Sequence, residues 1–486
     1  MCDTKQHNEG VAVSIQSILA SNMSAAPRVK ILINVGCLLD IPTGTYITGK
    51  YGESVLNGGL GPVSGVVGRG NTFKSTLAIY QEFCAFSRIM QSVYTTLGIY
   101  DTELNVHETR LEQLAFIFKN LRESDPFNAG LITLTDKTMH PGEKWFSLLK
   151  VFIENKRKNS KDLAINLPFL DRDGKTLMST IVPTFGILDS ASAFSTSNIE
   201  EMQNKNDIGD SATNTMHMKL GAAKTNMMMS LPSMCVGGAH YMCATGHVGD
   251  KIVIASGPTA PPPKKQLGAM SVDDTIKGVS SQFFFLMHSC WQTLSAKPLL
   301  DQNTKETMYP ENDTDDAQYD TDLMVVTIKQ LRSKSGMSGG AIEIIVSQTL
   351  GVLPSLTEFH YIKSNERFGL EGGTHNYSLA LLPDVKLSRT TVRRKLDEDE
   401  QLRRAMNITA ELCQITNLWR HLDKKYICTP KQLYDDLKEQ GYDWTVLLST
   451  RGWWTFNNDQ QEVPFLSTMD LLKMRVKEYR PYWLQS

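Results

Sequence analysis

Three groups of residues in this chain have the types and spacing that handle phosphate. The first is Gly68-Arg69-Gly70-Asn71-Thr72-Phe73-Lys74-Ser75-Thr76, a turn that follows the apolar run Gly65-Val66-Val67 and precedes a helical pattern. Such turns bind phosphate because successive backbone N–H groups and a helix N-terminus converge on the anion. Lys74 adds a point charge for β- and γ-phosphates, and Ser75 offers a hydroxyl to Mg²⁺. The usual pattern is G-x-x-x-x-G-K-[ST], and Phe73 stands where the second glycine belongs. The second group is Asp101-Thr102-Glu103, after the β-branched and aromatic run Ser92 to Tyr100. Carboxylates just past a strand's C-terminal end lie where open α/β sheets bind ligands, and Glu103 suits a water-polarising role in attack on a γ-phosphate. The third is Asp189-Ser190, ending the apolar run Ser179 to Asp189, where a carboxylate can hold Mg²⁺ through its water shell. Each has a plain alternative: a solvated loop acid, or one of many strand-ending aspartates. Their order along the chain is what makes a nucleotide site the expectation. His247, after the run Ala239 to Gly246, is a candidate sensor of the γ-phosphate, against the commoner structural role of a lone histidine.

The elements that must position these groups can be read from periodicity. A short amphipathic helix is expected over Val11 to Met23, with Val11, Ile15, Ile18 and Leu19 on one face. It fits equally a helix packed on its own domain and an arm docked on a neighbouring subunit. Lys30 to Leu39 reads as a strand or buried apolar run, and Leu77 to Met90 as the helix after the phosphate loop. Further helices are expected over Leu111 to Leu121 and over Glu143 to Lys156, the latter with Trp145, Leu148, Leu149 and Phe152 inward. Gly130 to Thr135 reads as a strand, Lys156 to Lys175 as a polar insertion loop, and the segment from Lys277 through GVSSQFFFLMHSC as strand-like. Strands alternating with helices predict an α/β fold with a mostly parallel sheet covered on both faces.

Gly249 to Gly278, with Pro261-Pro262-Pro263-Lys264-Lys265, is a long loop of the kind that is functional or disordered. Its lysines Lys264, Lys265 and Lys277 suit contact with a phosphate backbone. Residues 301–322 carry many acids and almost no aliphatics and read as a solvated insertion. The 486 residues, 41% hydrophobic and 21% charged with net charge −2, describe a globular chain without a global basic field, so nucleic-acid contact must come from local patches. The eight cysteines lack metal-ligand spacing and read as reduced, mostly buried thiols of a cytosolic protein. No apolar run approaches the ~18 residues of a membrane span, so no membrane partner is expected.

Taken in order, these motifs resemble the RecA family of DNA strand-exchange recombinases, as a divergent, phage-encoded member. Asp40-Ile41-Pro42-Thr43-Gly44 and GGLGPVSGVVG resemble the family's lead into its ATP loop, and GRGNTFKSTL its Walker A motif apart from Phe73. Tyr100 to Glu103 resembles the strand end carrying the family's catalytic glutamate, and Gly186 to Ala193 its Walker B strand. Asp207-Ile208-Gly209-Asp210-Ser211 resembles a passage in the family's first DNA-binding loop, which implies residues 199–216, including Lys205, for that loop and 249–278 for the second. His247 falls where the family carries a glutamine coupling the γ-phosphate to the second loop, and Lys277 resembles a lysine reaching ATP across a subunit interface.

The resemblance implies a RecA-like P-loop ATPase core over residues 29–364, preceded by an arm (1–28) and followed by an additional C-terminal α+β region (365–486). It implies ATP and Mg²⁺, with Gly68 to Thr76, His247 and Lys277 at the nucleotide, Ser75 and Asp189 on the metal, and Lys74, Asp189 and Glu103 in hydrolysis. It further implies single- and double-stranded DNA as partners, a helical homo-oligomeric filament, and work in the cytoplasm of a bacterial host. A ring helicase on the same core, and a DNA-binding scaffold with a non-hydrolysing loop, are the alternatives. In the tail, Ser388 is a candidate N-cap, and Arg389, Arg393, Arg394 and Lys395 form either a DNA-docking helix or a charged surface helix neutralised by Asp397 to Glu400. Trp444, Trp453, Trp454 and Trp483 read as a small core.

Overall fold

The computed structural model describes residues 30–171, 173–197, 201, 211–251, 266–301, 304–311, 322–373, 376–459 and 462–484. The expected helix over 11–23, the IGDS passage up to Asp210, Lys205, Lys264 and Lys265 lie outside the described residues.

Ten strands form one sheet. In chain order they are β1 (Val63–Gly68), β2 (Leu97–Asp101), β3 (Ile132–Asp136), β4 (Thr184–Asp189), β5 (His240–Asp250), β6 (Asp274–Ile276), β7 (Ser289–Pro298), β8 (Leu323–Ser333), β9 (Ala341–Ser347) and β10 (Gly351–Val352). Their order across the sheet is β10-β9-β8-β7-β1-β5-β4-β2-β3, with β6 paired to β5. The run β7-β1-β5-β4-β2-β3 is parallel throughout, and β8, β9 and β10 continue it antiparallel at one edge. The protein is thus an α/β fold with a large, mostly parallel sheet.

The parallel strands read as apolar runs because both faces are covered. Alternate residues divide between two cores: Val66, Ile99, Ile187 and Cys243 join one, Val67, Tyr100, Leu188 and Ala244 the other. Helix α1 (Lys74–Met90) covers the first face, burying Leu77, Phe83 and Phe86. Helices α2 (Gly142–Lys158) and α3 (Ser211–Gly238) flank the second, with Met228, Leu231 and Cys235 of α3 packed on the strands.

Several elements depart from expectation. Lys30 to Leu39 is mostly buried but irregular, pairing at an Ile33–Leu60 bridge and tied to residues 56–58 by the side chains of Asn34 and Asn57. The polar stretch after Lys156 continues α2 to Lys158 and then folds into a ribbon, Ala164–Leu170 paired with Leu177–Ile181. Val182-Pro183 separates this ribbon from β4, because proline cannot donate to a ladder. The segment after Lys277 forms a helix, Ser281–Leu286, capped by the Ser280 hydroxyl, and only from Ser289 a strand. The expected loop 249–278 contains β6, and the acidic stretch packs in part, with Tyr309 fully buried against Phe359 at 5.5 Å. On α2, Leu148 and Phe152 face solvent at 42% and 40% exposure instead of the core.

Residues 365–486 hold a three-stranded sheet (Leu370–Gly372, Tyr377–Leu379, Leu382–Leu387) and helices, the longest Glu400–Leu418. They pack against the rest of the chain: Trp454 meets Phe169 of the ribbon edge-on at 4.9 Å, and Arg88 of α1 lies over the Trp453 ring at 4.4 Å. Trp444 is buried as well, its indole N–H donating to the Leu381 carbonyl at 2.5 Å. Thr391 stands at the N-cap of the helix Val392–Glu398 without a side-chain cap, and the Ser388 hydroxyl accepts the Thr391 N–H at 3.2 Å.

Candidate functional site

The site is built on the carboxyl ends of the parallel strands, where β1 parts company with the strand that follows it in sequence. β5 and β4 lie between β1 and β2, which makes this a topological switch point. Register aligns the strand ends: Thr293 faces Gly68, Gly68 faces His247, and Asp189 faces Asp101.

Gly68 ends β1. A Cβ there would sit 1.9 Å from Thr293 Oγ1, because the hydroxyls of Thr72 and Thr293 meet at 2.6 Å beneath the turn. Arg69, Gly70 and Asn71 form the exposed top, and a Cβ on Gly70 would meet nothing within 4 Å. Phe73 is the N-cap of α1 and is left-handed, with φ 60° and ψ 26°. This is the conformation for which a glycine is usual, and it accounts for the sequence pattern that Phe73 breaks. The ring packs, partly buried, against the core under α1.

The start of α1 is prepared for an anion. Phe73 makes no side-chain cap, and no acid stands in the first turn of this 17-residue helix. Its first N–H groups therefore await an acceptor. Lys74 is the first helical residue and only 9% exposed. Its charge acts on both Glu103 and Asp189, with no direct ion pair to either among the described residues.

Asp189, at the end of β4, is 6% exposed and accepts from the Thr245 hydroxyl on β5, with the Ser75 hydroxyl of α1 near enough to favour its charged form. Burial raises its pKa above the ordinary value, Thr245 and Ser75 work against that, and the Glu103 charge adds to it. The Asp189–Ser190 peptide is cis. Glu103 sits on the loop after β2, which Asp101 organises: its carboxylate accepts from the backbone N–H groups of Glu103 (2.8 Å), Leu104 (2.9 Å) and Val106 (2.7 Å). Thr102 ties this loop to β4, its N–H donating to Asp189 O at 2.7 Å and its hydroxyl to Ser190 O at 2.9 Å. One oxygen of Glu103 takes both Ser190 Oγ (2.5 Å) and His247 Nε2 (2.6 Å). Partial burial pushes the Glu103 pKa up, but these two bonds and the Lys74 charge outweigh it and hold the carboxyl below its usual value.

Lys74, Ser75, Glu103, Asp189 and His247 are thus one connected cluster. Arg69 is turned elsewhere: its guanidinium bonds Asp250 at 2.6 Å and Asp274 at 3.1 Å, the ends of β5 and β6 facing each other. Lys277 is exposed and lays its stem across Gly249, its N–H donating to His247 O at 2.8 Å. Thr245, Thr293 and Ser192 belong to the cluster without having been singled out in the sequence. The only signal was a hydroxyl interrupting an apolar run, as Thr245 does in AHYMCATG. In the tail, Arg389 bonds Glu306 at 2.8 Å, Arg393 is 4% exposed between Glu311 and Asp322, and Lys395 donates to Lys386 O at 2.5 Å. That basic row is largely committed within the chain.

A cavity of about 1440 Å³ lies away from this cluster, lined by Tyr46, Trp291, Gln330, His360, Gln414 and Trp419 among others. No helix among the described residues is long and apolar enough to cross a membrane.

No known protein-family model matches this chain, and no curated protein matches it.

Proposed function

We propose that the chain is an ATP-hydrolysing recombinase of the RecA type, which assembles as a filament on single-stranded DNA and pairs it with a homologous duplex. The observation that carries the nucleotide part is the convergence of Lys74, Ser75, Asp189, Glu103 and His247 at adjacent strand ends, joined through Thr245 and Ser190. The uncapped start of α1 and the buried Lys74, without an ion pair among the described residues, fit a triphosphate. The recombinase part rests on the sequence resemblance.

In this reading the N–H groups of the turn and Lys74 bind the β- and γ-phosphates of ATP. Ser75 and Asp189 would hold Mg²⁺, which would supply charge neutralisation at the γ-phosphate. Glu103, ionised because its pKa is held low, orients a water whose oxygen attacks the γ-phosphorus as the bond to the bridging oxygen breaks. His247 bonds that same carboxylate and so links its orientation to the end of β5. DNA contact is electrostatic, sequence-tolerant and salt-sensitive, and the work is done in the cytoplasm of a phage-infected bacterium.

A second reading has one observation behind it. Phe73 occupies a glycine position, which favours a scaffold that binds nucleotide and DNA without turnover. ATP turnover with and without single-stranded DNA separates the two. The recombinase reading expects DNA-stimulated turnover, filaments by electron microscopy, and loss of both in Lys74→Ala. Turnover and filaments unchanged in Lys74→Ala would sink it.

A further inference from the structure

Lys224 is a costly residue in an informative place. It is carried by α3, is only 6% exposed, and its Nζ donates to the Ser192 carbonyl at 3.0 Å. A buried ammonium is expensive, and an apolar side chain of equal length would fill the same space at lower cost. Burial brings its pKa down to about 8, so it remains largely charged at neutral pH.

Its acceptor is a junction. Ser192 lies in the turn beyond Asp189, and Gly278 passes so close that a Cβ on it would come within 2.6 Å of the Ser192 carbonyl oxygen. The Ser192 hydroxyl donates to Lys277 O at 2.8 Å and accepts the His247 N–H at 2.9 Å. His247 Nε2 is 2.6 Å from Glu103 Oε1. A continuous path of hydrogen bonds therefore runs from α3 through Ser192 and His247 to Glu103. Lys224, Ser192, His247 and Glu103 are all buried or half-buried, and only Lys277 beside them is exposed.

We infer that Lys224 is a positioning residue for Glu103, acting through Ser192 and His247, so that α3 governs how the water-orienting carboxylate is held. The inference rests on the ATP-hydrolysing reading above. Between Ser211 and Lys224 there is roughly 20 Å of helix at 1.5 Å per residue, enough to carry a rigid displacement to the junction. DNA that shifts α3 would reach Glu103 by this route rather than through the phosphate loop. Sub-ångström misplacement of an orienting group is sufficient to slow a reaction without weakening substrate binding.

The test is Lys224→Met in the full chain, with ATP turnover, nucleotide affinity and thermal melting measured together. The expected result is a kcat about tenfold lower, with unchanged nucleotide affinity, lost stimulation by single-stranded DNA, and a melting temperature at or above wild type. A purely structural lysine would shift melting and leave kcat alone. Ser192→Ala should reproduce the defect, and the double variant should be no worse than either single one, because both cut the same path. Wild-type kcat and stimulation in Lys224→Met, or losses that multiply in the double variant, overturn the inference. If Lys224→Met does not fold, Ser192→Ala carries the test, and normal turnover there overturns it equally. A wild-type protein without any ATP turnover removes the functional reading itself, an outcome distinct from all of these.

Discussion

At an ordinary N-cap glycine is already preferred to alanine, and at position 73 the left-handed backbone should widen that gap. Phe73 holds φ 60° and ψ 26°, a region that costs a residue with a Cβ on the order of 1 kcal/mol relative to glycine. Its ring is half-buried against the core beneath α1, and half of the burial value of a phenylalanine contributes roughly 1 kcal/mol. The two effects oppose each other and are of similar size. Phe73→Gly loses the ring contacts and relieves the backbone, so its net change should be within about 0.5 kcal/mol of zero. Phe73→Ala loses the ring and keeps the strain, so it should fall about 1 kcal/mol below the glycine variant. Urea unfolding of the three proteins reads this directly as the order of midpoints. Because the ring points into the domain, both variants should keep nucleotide affinity. An alanine variant as stable as the glycine one would refute the backbone argument. A large gain in affinity in both would mean that the ring obstructs the nucleotide.

Other outcomes follow from the same structure. Glu103→Gln should keep nucleotide binding and lower kcat by about 10²–10⁴, since the amide cannot act as a base; single-turnover kinetics with a parallel binding titration decides it, and an unimpaired rate would move the chemistry elsewhere. Glu358 is buried and its pKa is pushed up to about 8 by desolvation. Its folded form holds a proton more tightly than the unfolded chain, so its contribution to stability is complete below the ordinary glutamate value and is lost as pH rises toward 8. Glu358→Gln, whose amide oxygen can still accept the Asn407 bond seen at 3.0 Å, should flatten that decline and be the more stable protein at pH 8. An unchanged pH slope in denaturant midpoints would count against this. Trp454→Ala removes a side chain 2% exposed and in edge contact with Phe169, and should cost about 3–5 kcal/mol; a loss under 1 kcal/mol would show that the tail barely engages the ribbon.

What could be read from the sequence was what local chemistry fixes. The turn Gly68 to Thr76, the strand-ending Glu103 and Asp189, and the strands β2 and β3 follow from residue types at short range. What escaped depends on distant partners. Residues 156–175 look polar and loop-like, yet Ala164–Leu170 pairs with Leu177–Ile181 as a ribbon because Phe169 finds Trp454 nearly three hundred positions away in sequence. Tyr309 sits among acids, but its ring is buried by Phe359. GVSSQFFF has β-forming residues, and the Ser280 cap together with the burial of Phe283 and Phe284 makes it helical. Leu148 and Phe152 show the reverse error, an apolar stripe wider than the face that the sheet covers.

The place of β5 explains why Thr245 and Ser192 were invisible in the sequence and central in the fold. Strand order puts β5 between the strand that leads to the phosphate loop and the strand that ends in Asp189. Alternation along β5 follows from pleating: Cys243 packs under α1, Ala244 on the opposite face, and the residues at its carboxyl end meet the cluster. There Thr245 reaches sideways to Asp189, and His247, in register with Gly68, reaches Glu103. A strand inserted at this position is in contact with metal-side and water-side carboxylates at once. Movement of β5 along its axis would change both together. The hydrogen-bonding residues at the end of β5 are therefore where a signal from outside the nucleotide site has the most leverage. His247→Ala should separate the two effects, lowering turnover through Glu103 while leaving Asp189 and nucleotide affinity intact. Equal losses in turnover and affinity would show instead that β5 supports the site only as scaffold.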